Sequence, residues 1–146
     1  MSADPQTAAF HVRRLIDLTR RLTGRLETET EAFREHRARD LLAGQAETQE
    51  MANVYRRESA QLKARPDVLK AATVADRMEL VHATELFEVA LSAHSRVVEA
   101  ARTVSEGLVR TIAAEVAAQR GNPSAYGAAG HANAPNATAV ALNRTA

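Results

Sequence analysis

The sequence predicts an all-α protein: an elongated antiparallel helical hairpin or three-helix bundle, followed by a disordered C-terminal tail. Three observations carry this. Apolar residues recur at three- and four-residue spacing over most of the first 120 positions. No alternating strand pattern and no internal repeat breaks that rhythm. The composition joins 45% hydrophobic residues, many of them Ala, to only 3% aromatic ones, which suits thin helix–helix seams better than a thick globular core. Residues 1–120 are expected to form the bundle and 121–146 the tail.

The first helix is predicted to begin near Gln6, just after Asp4-Pro5, where Asp can cap the helix and Pro suits its first turn. Leu15, Leu18, Leu22, Leu26 and Phe33 then step along one face. Glu29 interrupts that stripe, and a polar contact that fixes helix register explains it. Whether Glu29 meets His94 depends on a register the pattern does not determine. Pairs three and four residues apart, Glu31 with Arg34 and Glu35 with Arg39, add support on the opposite face. Gly44 either ends this helix or weakens a longer one by about 1 kcal/mol.

A second helix is expected from Gln45 to Ala64, with Met51, Val54, Tyr55 and Leu62 as its apolar set. Arg65-Pro66-Asp67 breaks it, because the residue before proline is pushed out of the helical region. A short turn over Asp67–Ala72 leads to the longest helix, Thr73 to Arg120, with Thr73 and Asp76 suited to its start. At 100° per residue, Leu80, Ala83, Phe87, Ala90, Leu91, His94, Val98, Ala101, Val104, Leu108, Ile112 and Val116 share one broad face. Val81, Val89, Val97 and Val109 widen or leave it. The helix would be roughly 70 Å long, and its stripe calls for cover from antiparallel neighbours. Where those neighbours do not reach, a groove remains for an amphipathic helix of another chain, unless a second copy takes it. Beyond Gly121-Asn122-Pro123, the stretch Ser124–Ala146 holds one charge, Arg144, and one aromatic, Tyr126. An aromatic on such a segment is either an anchor for a partner or an incidental linker residue.

Several function classes find no support. The net charge is +1, which gives no general drive toward nucleic acid or acidic membranes. Arg13, Arg14, Arg20, Arg21 and Arg25 make the first helix locally basic, as a solvated face or as a docking patch. No aromatic residues interleave them to stack on bases. There are no cysteines, so disulfides and thiolate chemistry are excluded. Met1–Pro5 has no secretory pattern, and no apolar run approaches the ~20 residues of a membrane span. A cytoplasmic location without membrane insertion is therefore expected, with the sequons at Asn136 and Asn143 idle. None of His11, His36, His82, His94 and His131 lies three or four residues from another, and no His-Glu-x-x-His, phosphate loop or nucleophile elbow occurs. No enzymatic activity, cofactor or metal is predicted.

The segments Gly107-Leu108-Val109-Arg110-Thr111-Ile112, Tyr126-Gly127-Ala128-Ala129-Gly130 and Leu142-Asn143-Arg144-Thr145-Ala146 resemble the FlgN-like flagellar export chaperones. The Leu41-Leu42-Ala43-Gly44-Gln45 turn between charged helices is also similar, more weakly. The resemblance implies a small cytoplasmic helical chaperone without ATPase activity. Its partners would be flagellar hook–filament junction proteins, each offering an amphipathic C-terminal helix, and the cytoplasmic domain of the flagellar export gate. It further implies client-facing or bundle-core roles for Leu91, Val98, Leu108, Ile112 and Val116, and gate docking for Tyr126 and Gly127. The competing readings are a homodimeric coiled-coil protein that consumes its own stripe, and a nucleic-acid or membrane-surface binder that uses the Arg13–Arg25 patch.

Overall fold

The structure is a computed structural model, and it describes residues 2–121. Four α-helices follow one another: α1 (Pro5–Arg34), α2 (Gln45–Lys63), α3 (Pro66–Ala71) and α4 (Val74–Arg120). A 3₁₀ segment, Ala38–Gly44, joins α1 to α2. The described residues contain no strand, so the all-α expectation holds. Residues 2–99 form one unit, and 100–121 are described separately below. The expected tail, with Tyr126 and Gly127, lies outside the described residues apart from Gly121.

Helix α1 starts where the sequence places it. The Asp4 carboxylate accepts from the Thr7 backbone N–H at 3.0 Å, and Pro5 occupies the first turn. This satisfies one of the amides that a helix start leaves unpaired. The buried face holds Ala8, Val12, Leu15, Ile16, Leu18, Leu22 and Leu26, as the three-and-four spacing requires. Three threonines, Thr19, Thr23 and Thr30, join it. Thr19 and Thr23 are buried because their hydroxyls donate to the Leu15 and Thr19 carbonyls one turn back, at 2.7 and 2.8 Å.

The end of α1 corrects the sequence reading. The helix stops at Arg34, ten residues before Gly44. His36 adopts a left-handed conformation, φ 57°, while its N–H donates to the Phe33 carbonyl and that of Arg37 to the Ala32 carbonyl. These two bonds are the Schellman termination usually completed by glycine. Histidine tolerates the left-handed region better than most residues, but at a steric cost. Glu35 consequently leaves the helical frame and pairs with Arg37 at 2.6 Å, not with Arg39. The hydrogen bond and charge of the Arg37 guanidinium hold the Glu35 carboxyl below its ordinary range. Glu31 and Arg34 do pair, at 3.7 Å.

Helix α2 runs back along α1. Met51 and Leu62 are its buried residues, with Val54 and Tyr55 packed beside the core. The break at Arg65-Pro66 is as expected, but the segment after it is a helix of six residues rather than a turn. Arg65 grips Asp67 through two bonds of 3.1 and 3.0 Å at its start, and Val68 and Ala72 close one end of the core. Helix α4 then begins with the Thr73 hydroxyl accepting from the Asp76 N–H.

Three cross-links set the direction of α4 against α1: Arg13–Asp76 at 3.3 Å, Arg20–Glu79 at 3.6 Å and Glu29–His94 at 3.0 Å. Both numbers rise together, so α1 and α4 are parallel, and only α2 is the antiparallel neighbour that the long stripe was expected to have on both sides. Tyr55 of α2 meets Phe87 of α4 with ring centroids 4.9 Å apart. The core is thin, as its composition implied. One cluster joins Ala8, Val12, Leu15, Ile16, Leu62, Val68, Ala72 and Ala83. A smaller one joins Leu18, Leu22 and Met51, with Phe87 against it. The small Ala83 and Ala90 are the buried apolar residues of α4, and such residues let helix axes approach closely.

Candidate partner-binding face

Within residues 100–121 the helix carries an apolar row that nothing in that segment covers. Val104 is 71% exposed, Leu108 59% and Ile112 54%, with Val109 and Val116 also exposed. Val104, Leu108, Ile112 and Val116 are four residues apart and so line one face. The Arg102–Glu106 pair, at 2.9 Å, lies away from it. Thr111 donates its hydroxyl to the Gly107 carbonyl at 3.0 Å. Fully burying a Val, Leu or Ile is worth about 1.5–3 kcal/mol, so this row holds a driving force that the segment itself does not use. Of the five positions proposed for client contact, Leu108, Ile112 and Val116 share this face. Leu91 and Val98 belong to the other unit, where Leu91 is exposed and Val98 half-buried. Neither is a core residue there.

Residues 2–99 expose further apolar side chains on α4: Val74, Met78, Val81, Leu86 and Val89. Val81 and Val89 are thus off the packed face, as their phase suggested, whereas Val97 is half-buried.

The basic first helix proves to be a pairing device. Arg14 reaches Glu58 at 3.4 Å and Arg25 reaches Glu47, both on α2, while Arg13 and Arg20 reach Asp76 and Glu79 on α4. Four of the five arginines therefore face an acid from another helix, so most of the positive charge of this patch is matched within the bundle. Sequence reasoning missed this because the partners lie tens of residues away.

Glu29 does meet His94. The His94 Nε2 and a Glu29 carboxylate oxygen are 3.0 Å apart, both side chains are mostly buried, and Phe33 sets its ring edge-on to the imidazole. A hydrogen-bonded pair at a helix seam specifies alignment, as the interrupted stripe implied. Among the described residues, no group of His, Asp and Glu could hold a metal ion. No described helix is long and apolar enough to cross a membrane.

Fold and surface together define a small helical protein that exposes an apolar helix face. The chain is 42% identical over 138 residues to the flagellar basal-body protein FlbY of Caulobacter vibrioides, an alignment covering 92% of this chain and 93% of that protein. It belongs to the FlbY family. No family model matches the chain, and no solved structure matches it. The match to FlbY corrects the resemblance to FlgN-like export chaperones. Similarity along nearly the whole chain outweighs four short segments in an Ala-rich helical sequence, where helix periodicity alone restricts the choice of residues and makes chance likeness common.

Proposed function

We propose that the protein is a non-enzymatic flagellar assembly factor that works by binding. The face of Val104, Leu108, Ile112 and Val116 receives an amphipathic helix from another flagellar component, holding it before or during incorporation. The single observation that carries this reading is the exposure of that row. The flagellar context comes from the name of its relative. Helix-in-groove recognition needs apolar anchors at i, i+3, i+4 and i+7 on both partners, and the spacing here supplies one side. Hook–filament junction clients and an export gate rested on the overturned resemblance and lose that support, and with them the docking role of Tyr126 and Gly127.

The test is a double variant, Leu108→Asp with Ile112→Asp, in the cell of origin, joined to photo-crosslinkers placed at positions 104, 108 and 112. Motility should fall while the purified variant keeps its helical signal and unfolding midpoint, and a crosslinker at 108 should capture a flagellar component. Binding of that component in vitro should show a negative heat-capacity change. Normal motility with undiminished crosslinking in a folded double variant would remove the reading. A crosslinked product made only of two copies of this chain would replace it with self-association.

A further inference from the structure

We infer that the helix received by the row at 104–116 carries a lysine or arginine within its own apolar face, and that Glu115 selects it. This rests on the binding reading proposed above and adds the chemistry of the occupant. Helix geometry places Glu115 on the row rather than beside it. It stands seven residues after Leu108 and three after Ile112, only about 20° of rotation from Leu108, whereas Val116 has drifted by about 80°. Ala101, Val104, Leu108, Ile112 and Glu115 thus follow the three-and-four spacing that a partner helix tracks. The last of them is a carboxylate.

No cation among the described residues neutralises it. Glu115 is exposed and accepts from the Gln119 amide at 3.5 Å, the long limit of a hydrogen bond. Arg102 is directed to Glu106, and Arg110 and Arg120 lie about 140° away round the helix. Water satisfies the carboxylate while the row is open. A helix laid over Leu108 and Ile112 displaces that water, and a desolvated carboxylate left without a cation is costly. Thr111, on the same side of the row, makes no such demand, because its hydroxyl already donates to the Gly107 carbonyl.

Charge complementarity therefore favours one occupant over two others. A second copy of this segment brings no cation to the spot. Parallel pairing sets Glu115 against Glu115, and antiparallel pairing with Leu108 opposite Ile112 sets it against Ser105. A helix with an acidic residue at the matching position is repelled outright. A helix with a lysine or arginine there gains a charge-assisted contact, and it does so in one register, because a slip of one turn carries the cation away. A polar group within an apolar seam fixes alignment and partner choice in this way.

The probes are synthetic amphipathic helices of about five turns, alike in a leucine face except for Lys, Gln or Glu at one position within it, each titrated calorimetrically into the full chain. The Lys peptide should bind at least about tenfold more tightly than the Glu peptide, with Gln between them. Raising the salt to about 0.5 M should narrow the gap. Glu115→Lys should reverse the order and Glu115→Gln abolish it, with circular dichroism unchanged in both. Leu108→Asp should weaken all of the peptides together. If they bind equally, yet all weaken with Leu108→Asp, selection by Glu115 is overturned and the binding row stands. If none binds, or binding ignores Leu108→Asp, the row falls as a binding face and the inference falls with it. A dimer of the chain abolished by Leu108→Asp would make a second copy the occupant and overturn the proposal.

Discussion

At the residue scale, two histidines show what local pattern conveys and what it conceals. His36 holds the left-handed position that closes α1, a place where glycine relieves the clash between Cβ and the following carbonyl. His36→Gly should stabilise the protein by about 0.5–1 kcal/mol in urea unfolding, the relief partly offset by the larger unfolded-state entropy of glycine. A loss of stability would mean that the imidazole contributes contacts not evident at this exposed corner. His94 illustrates the opposite case. The Leu26–Phe33 stripe marked Glu29 as out of place, and the apolar face of the long helix marked His94, so both members of the pair were legible and only their meeting was not. Glu29→Ala should cost about 1 kcal/mol. A double-mutant cycle with His94→Ala should give a coupling of about 0.5–1 kcal/mol, and strict additivity would show that the 3.0 Å contact does not set the register.

At the element scale, α4 behaves as two kinds of helix under one pattern. Around Ala83 it is packed: that residue is 2% exposed within the main core cluster, and Ala83→Leu should cost about 1–3 kcal/mol through overpacking. Around Leu108 it is open, and Leu108→Asp should change unfolding stability by less than about 0.5 kcal/mol. Thermal or chemical unfolding of the two variants checks the contrast, and equal losses would mean that the row at 104–116 is covered in solution. The periodicity of the sequence is the same in both stretches, so it could name the face but not its cover. Burial is a property of neighbours, and the neighbours of α4 come from residues tens of positions away. The end of α1 was missed for a simpler reason. Gly44 carried the expected stop signal, while the stop itself used a histidine, which carries none.

At the scale of the whole molecule, charge is distributed to hold the bundle together. Arg13, Arg14, Arg20 and Arg25 each meet an acid on α2 or α4. An exposed pair such as Arg20–Glu79 is worth only about 0–1 kcal/mol, whereas Asp76 is buried against Arg13; together the four pairs favour one helix alignment over its slipped alternatives. Binding to duplex DNA should therefore be weak even in about 50 mM salt, with a shallow salt dependence. Tight, steeply salt-dependent binding in a fluorescence titration would show that these arginines exchange their partners for phosphate. Membership in the FlbY family sets this molecule in a flagellar context, and the open row at 104–116 is the surface through which we expect it to act there.

The sequence by itself determined the helical class, the apolar face of every long helix, the start of α1 at Asp4 and the break at Pro66. Each comes from interactions within a turn or two of chain. Only the tertiary structure decided that α1 lies parallel to the first part of α4, that four arginines of α1 pair with acids on other helices, and that Glu29 meets His94. Those depend on contacts between residues tens of positions apart, and near-equivalent helical repeats leave several registers open until the packed side chains select one.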